Sequence, residues 1–300
     1  MRGSPKYQVT QIFRKSGIFQ PGSSKHMAKD QARGEGAKTW AQIAEKTAIY
    51  SYKTADAYRE IWLRFAKFAR KNEGLRDLVK VEPRHVRSYL EHCAEKGVSA
   101  ATFGQYAAAL GKFENALNLF VRGKRSYNLR SGIKAARRPA VNLVRFDDSR
   151  AYERPVELVS SVRSESHQLA AQIQLHTGCR VREAALIESS QVSNGQFSYQ
   201  GKGGLVVTKN IPQVLESKLR VYFNREGQFK IDPEKYRRSL KTASVATGQK
   251  YQGSHGLRWS YAQGRMVELR MNNVSYYDSL RIVSYELGHK RPDITEHYLR

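Results

Sequence analysis

The sequence predicts a mainly α-helical chain of two domains, with one small β-hairpin sheet in the second. Three observations lead there. Between residues 40 and 120, apolar and aromatic residues recur at spacings of three and four, the period of a helix with one buried face. Residues 121–157 are basic, aperiodic and punctuated by Pro139 and Pro155, as a connection between domains is. Beyond them, β-branched and aromatic residues crowd on both sides of Gly201-Lys202-Gly203-Gly204, the composition of two short strands around a turn. Three hundred residues, 40% of them hydrophobic, suffice for two ordinary cores.

Taken in order, residues 1–38 are rich in Gly, Ser and Lys, with eight basic and two acidic residues, and are read as a basic arm, flexible or partly helical. Residues 39–120 form the helical domain. Tyr58, Ile61, Trp62, Phe65 and Phe68 share one helix face, while Arg59, Arg64, Lys67 and Arg70 fall largely elsewhere. A second helix starts at Pro83, a favoured first-turn residue, and stops near Gly97. Ser99 caps a third, which runs through Tyr106, Leu110, Phe113 and Leu117. The connection, 121–157, holds ten Lys or Arg and three acidic residues by position 155, among them Lys124, Arg125, Arg137 and Arg138. The second domain, 158–300, opens with a helix over about 164–176. Strands at Gln196–Gln200 and Leu205–Thr208 follow, then helices to the end with Gly288 as a stop and Pro292 as a restart.

Charge points to a polyanionic partner. With 52 Lys and Arg against 27 Asp and Glu, the formal net charge is +25 and the pI about 10.1, the balance of a nucleic-acid-binding protein. Affinity for duplex DNA should then fall with salt, with a log-log slope of about −0.9 per phosphate neutralised. Charge alone does not separate such a protein from a ribosome-associated one. No apolar run approaches the ~20 residues needed to span a membrane, and the first residues lack a secretory signal core, so an intracellular location is expected. Cys93 and Cys179 have neither metal-ligand spacing nor a disulfide framework, so no metal is expected.

Six polar residues over the last 120 positions suggest the chemistry. Arg180 lies in Thr-Gly-Cys-Arg-Val-Arg-Glu, Lys202 in Gly-Lys-Gly-Gly, and His255 and Arg258 in His-Gly-Leu-Arg; His289 closes Leu-Gly-His and Tyr298 follows it by nine residues. A phosphodiester attacked in line spreads negative charge over its non-bridging oxygens, and arginine forks can grip such oxygens with paired, charge-assisted hydrogen bonds. A phenol as nucleophile is ionised to only about one part in a thousand at pH 7, a shortfall of about 4 kcal/mol, so a proton acceptor is needed beside it. Histidine suits that task near neutral pH. Each motif alone is commonplace: a helix end, a glycine turn, a surface His-Arg pair, a packing tyrosine. Their joint occurrence in one order is not.

This pattern resembles the tyrosine recombinase (phage-type integrase) family over roughly residues 40–300. The resemblance implies a two-domain DNA clamp, a helical core-binding domain ahead of a catalytic domain, closed by the linker. It implies that Arg180 and Arg258 hold the scissile phosphate, that His255 handles the proton of the nucleophile Tyr298, and that His289 bonds a phosphate oxygen. Lys202, at a hairpin tip, would protonate the departing 5′ oxygen; Lys209 lies on the same hairpin and could be taken for it. Glu183 would orient the basic groups without reacting. Arg59, Arg64, Lys67, Arg70, Lys124, Arg125, Arg137 and Arg138 would contact DNA. The implied product is a 3′-phosphotyrosyl link and a free 5′ hydroxyl, with no metal or nucleotide cofactor. Implied partners are a double-stranded recombination site, three further copies in a homotetramer on DNA, and accessory DNA-bending or directionality proteins, with no membrane. The setting would be the bacterial cytoplasm, for a mobile element. Relatives commonly carry a segment after the nucleophile, whereas this sequence ends two residues past it, so a monomer in solution is expected. The competing readings are a type IB topoisomerase-like enzyme and a non-catalytic sequence-specific DNA-binding protein.

Overall fold

The computed structural model describes residues 1–137, 139–144, 148–201, 204–289 and 291–300, so the expected roles of Arg138 and Lys202 lie outside the described residues. The chain divides into two compact units, Met1–Phe146 and Asp147–Arg300. Among the described residues, no helix is long and apolar enough to cross a membrane.

The first unit is helical: α1 (Pro5–Ser16), α2 (Lys25–Gly34), α3 (Trp40–Lys46), α4 (Tyr52–Asn72), α5 (Pro83–Glu95), α6 (Ala100–Val121) and α7 (Leu129–Arg137). Ser51 and Ser99 cap α4 and α6 by accepting the backbone N–H of Thr54 and Thr102, and Pro83 opens α5. The expected face of α4 is the buried one: Ile61, Trp62 and Phe65 are interior, with Tyr58 and Phe68 packed half-buried at its margins. The Trp62 indole N–H donates to the Ala109 carbonyl at 2.7 Å, and its ring meets that of Phe113 at 5.1 Å.

Two boundaries differ from the sequence expectation. Residues 1–38 are not a detached basic arm, because Val9, Ile12 and Phe13 of α1 enter the core against α4 and α6. Their three-and-four spacing is a helix signal inside a Gly- and Lys-rich stretch. Nor is 121–157 a plain linker. Its α7 buries Leu129, Ile133 and Ala136 and lies directly on α5, where a Cβ at Gly132 would meet the Pro83 carbonyl oxygen at 2.1 Å. The first unit therefore needs both flanks of the expected 39–120 domain to close its core.

The second unit contains α8 (Pro155–Ser160), α9 (Glu165–Thr177), α10 (Val181–Ala184), β1 (Leu186–Ile187), β2 (Val192–Ser193), β3 (Gln196–Gln200) and β4 (Val206–Asn210). Then come α11 (Gln213–Glu226), β5 (Phe229–Lys230), α12 (Pro233–Ala246), α13 (Gly253–Met271), α14 (Tyr276–Glu286), α15 (Asp293–Glu296) and a 3-10 turn, His297–Leu299. Strands β2, β3 and β4 form an antiparallel sheet with Phe197 opposite Lys209 and Tyr199 opposite Val207; β1 pairs with β5. Strand β4 starts one residue later than expected because Leu205 closes the turn, its carbonyl accepting from Gly201 N–H at 2.8 Å. The main core gathers Leu169, Ile173, Phe197, Phe229, Tyr236 and Leu257, and a smaller one places Trp259, Met266, Leu280 and Leu287 around Tyr298.

Because Ile12 is fully buried, Ile12→Ala should destabilise the first unit by about 2–4 kcal/mol in urea unfolding of the whole protein. A change within about 0.5 kcal/mol, the usual range for an exposed site, would return α1 to the status of an arm.

Candidate active site

Helix α9 ends at Gly178, whose φ of +66° and crowded Cα suit glycine: a Cβ there would lie 2.4 Å from Tyr261 Cδ1. The turn delivers Arg180 to the start of α10, where Glu183 holds it twice. One carboxylate oxygen accepts the Arg180 backbone N–H at 2.6 Å and the other accepts from Nη1 at 3.1 Å, leaving the arginine side chain about a third exposed. Glu183 thus fixes Arg180 through both of its carboxylate oxygens.

His255 and Arg258 lie three apart on α13 and so share a face. Arg258 is completely buried. Its Nη1 donates to the Gly178 carbonyl at 2.5 Å and its Nη2 to the Leu287 carbonyl, while Nη2 also lies 3.2 Å from His289 Nε2. Arginine has no acceptor, so His289 Nε2 must accept; the ring proton is assigned to Nδ1, which faces Thr295 Oγ1 at 3.3 Å. No carboxylate pairs with Arg258 among the described residues, and its buried Nε has no hydrogen-bond partner.

Tyr298 is buried on the terminal 3-10 turn, which Gln263 Nε2 pins through the Tyr298 carbonyl at 3.1 Å. Its hydroxyl lies 3.3 Å from His255 Nε2, and its ring packs on Trp259 at 5.2 Å, with the Arg258 guanidinium 5.8 Å from its centre. Burial, reinforced by Arg258 and other nearby cations, pushes both His255 and His289 down to about 4. Both are therefore neutral at pH 7, with His255 Nε2 the ring nitrogen that faces the phenol.

Five of the six expected residues are described, and all five gather here. Two of them, Arg180 and His255, line a cleft of about 870 Å³ together with Arg150, Arg182, Arg237 and the hairpin residue Gly201, with Glu183 its one acidic lining residue among those described. Lys209 is separate from that lining: it is buried on β4, donates to Tyr261 Oη at 2.9 Å and pairs with Glu286 at 3.3 Å. Sequence reasoning missed Arg150, hidden in the stretch read as linker, and Trp259 and Thr295, which carry no charge to mark them.

The seven described residues expected to contact DNA are exposed, and four of them have partners. Arg59 pairs with Asp56 at 3.7 Å and Arg64 with Glu60 at 2.6 Å, and with Lys6 and Lys67 they line a groove between α1 and α4. Arg70 donates to the Gly3 carbonyl and Arg125 to that of Val79, whereas Lys124 and Arg137 are exposed. Surface pairs of this kind are worth about 0–1 kcal/mol, so a phosphate can displace them.

Residues 37–118 match the phage integrase N-terminal SAM-like domain. Among solved structures, the XerH site-specific recombinase bound to palindromic difH substrate, in its post-cleavage complex, aligns over 98% of this chain and 91% of its own, at 16% identity and a TM-score of 0.66. The chain has the tyrosine-recombinase fold. Two further relatives of that fold align well. The Tn1549 transposon integrase with transposon right end DNA covers 98% of this chain and 95% of its own, at 13% identity and a TM-score of 0.58. A lambda integrase dimer bound to a COC′ core site covers 93% and 77%, at 14% identity and 0.57. No curated protein matches the chain by sequence.

In this tyrosine-recombinase fold the two depressed histidines have a measurable consequence. The unfolded chain takes up protons near the ordinary imidazole pKa of about 6.5, the native state only near 4, so their contribution is present above about pH 6.5 and is lost as pH falls towards 4. The denaturation midpoint of the free protein should fall across that window, and should fall less in His255→Asn. An unchanged slope in that variant would show that His255 is not held neutral.

Proposed function

We propose that the protein is a site-specific DNA recombinase that breaks a strand by attack of Tyr298 on the scissile phosphorus, forming a 3′-phosphotyrosyl bond and releasing a 5′ hydroxyl. One observation carries the reading: the Tyr298 hydroxyl faces His255 at 3.3 Å beside a buried guanidinium that has no carboxylate partner among the described residues. A phosphodiester would supply the negative charge. Arg258 and Arg180 would neutralise the non-bridging oxygens, and His289, fixed by Thr295, would add a hydrogen bond. As the anion offsets the arginines, the Coulombic part of the depression at His255 shrinks and the ring becomes a better base when the phenol must lose its proton. Lys202 is the proposed donor to the departing oxygen. The adjoining Gly201 lines the cleft, which supports that assignment.

The positive charge for this reaction comes from side chains, so we propose that it needs neither metal nor nucleotide. Attack by the freed 5′ hydroxyl of another duplex would reverse the step without an energy source, as recombination between paired sites on a tetramer requires. The exposed basic groups on α4 and around α7 are proposed backbone contacts, and integration or excision of a mobile element is the proposed role.

A nicked suicide duplex tests the reaction. Wild-type protein should become attached to DNA in the presence of EDTA, and Tyr298→Phe should bind equally but form no adduct. Undiminished adduct in Tyr298→Phe would move the nucleophile elsewhere. Binding without adduct in the wild type would favour a non-catalytic DNA-binding protein, and relaxation of a plasmid lacking any specific site would favour the topoisomerase reading. Arg180→Lys keeps the charge but removes the fork held by Glu183, and should slow adduct formation by more than a hundredfold, about 3 kcal/mol. A rate within threefold of wild type would take Arg180 off the phosphate.

A further inference from the structure

We infer that Lys209 is a positioning residue which, with Tyr261 and Glu286, fixes the two backbone carbonyls that hold Arg258; the inference rests on the cleavage reaction proposed above. Glu286 is the last residue of α14 and receives three donors: the Tyr261 hydroxyl at 2.6 Å, Arg265 Nε at 3.1 Å and the Lys209 ammonium at 3.3 Å. The next residue is Leu287, whose carbonyl accepts from Arg258 Nη2, and His289 follows two residues later. Tyr261, which takes a hydrogen bond from Lys209, lays its ring over Gly178, and the Gly178 carbonyl accepts from Arg258 Nη1. Both anchors of the guanidinium thus abut one polar cluster. Lys209 ties that cluster by hydrogen bond and ion pair to β4, and so to the sheet that contacts α9, the helix that Gly178 ends.

The cluster is not a default of packing. A side chain that merely filled this place opposite Phe197 would be apolar, whereas burial of a lysine here pulls its ammonium down to about 8. Glu286 on α14 opposes that shift, and Arg265 and Arg258 on α13 add to it; Tyr261 faces the ammonium directly, and Arg281 on α14 lines the groove outside. Holding a charged group where charge is expensive is reasonable if the contact sets geometry. A displacement of about 1 Å at a phosphate-binding fork is enough to cost a hundredfold in rate.

The test uses the full chain on the nicked suicide duplex, with single-turnover adduct formation followed from pH 6.5 to 9.5. Lys209→Met and Tyr261→Phe should bind the duplex within twofold of wild type yet form adduct 10 to 100 times more slowly. A substrate whose 5′ bridging oxygen is replaced by sulfur, a leaving group that needs no proton, should not restore them. The wild-type rate should drop above about pH 8, and Lys209→Arg, which stays charged throughout, should lose that drop. Tyr261→Phe removes one hydroxyl and keeps the test available if Lys209→Met fails to fold. Wild-type rates in the variants would overturn the inference, as would rescue by the sulfur substrate, which would make Lys209 the proton donor itself. Failure of wild-type protein to form adduct would overturn the cleavage reading and this one together, a result distinct from a failure confined to the variants.

Discussion

The structure of the second unit is organised around a buried cation. Arg258 has no exposed surface, and its partners among the described residues are two carbonyls and an imidazole, none of them anionic. Burying an ion without a counter-ion costs several kcal/mol, and carbonyl dipoles recover part of it. The remainder is a standing preference for an anion. In the proposed reaction a phosphate approaching Arg258 would satisfy a group the folded protein has already desolvated, so that binding and charge neutralisation would occur together.

Several local features follow from that constraint. Gly178 is required because its carbonyl must turn towards the guanidinium while Tyr261 covers its Cα. The Leu-Gly-His turn after α14 presents a carbonyl and an imidazole to the same guanidinium within three residues. The histidines carry the electrostatic consequence: buried and beside Arg258 and Arg180, an imidazolium is disfavoured and the rings stay neutral. Neutrality is also what the proposed chemistry asks of them, one as proton acceptor and the other as a hydrogen-bonding group that adds no charge of its own.

Much of this was legible in the sequence because the site uses residue types with strong local signatures. Arg180 after a helix-ending glycine, Arg258 one helical turn from His255, and Tyr298 on the last turn all stand where their motifs put them. The core of α4 was equally readable from its periodicity. Boundaries were not. The apolar triplet Val9, Ile12, Phe13 is one helical turn among glycines and lysines, and α7 hides Leu129, Ile133 and Ala136 in a stretch dominated by charge. Composition averaged over thirty residues cannot reveal a three-residue contact with a distant helix. The cluster of Lys209, Tyr261 and Glu286 was illegible for another reason: its members come from a strand and two helices and share no spacing.

Lys209 shows why residue type alone does not assign a role. Strand β4 alternates, so Val207 and Lys209 point inward while Val206, Thr208 and Asn210 point out. An inward lysine is held by Glu286 and Tyr261 and cannot follow a leaving oxygen without breaking both contacts. Around the turn, the described bonds include Gly201 N–H to the Leu205 carbonyl and Gly204 N–H to the Gly201 carbonyl. In the proposed reaction proton donation is needed only once substrate is aligned, so a donor would gain from freedom to follow it, whereas groups that would define the phosphate site gain from immobility. Lys209 is placed for the second of these needs, held on β4 by Tyr261 of α13 and Glu286 of α14.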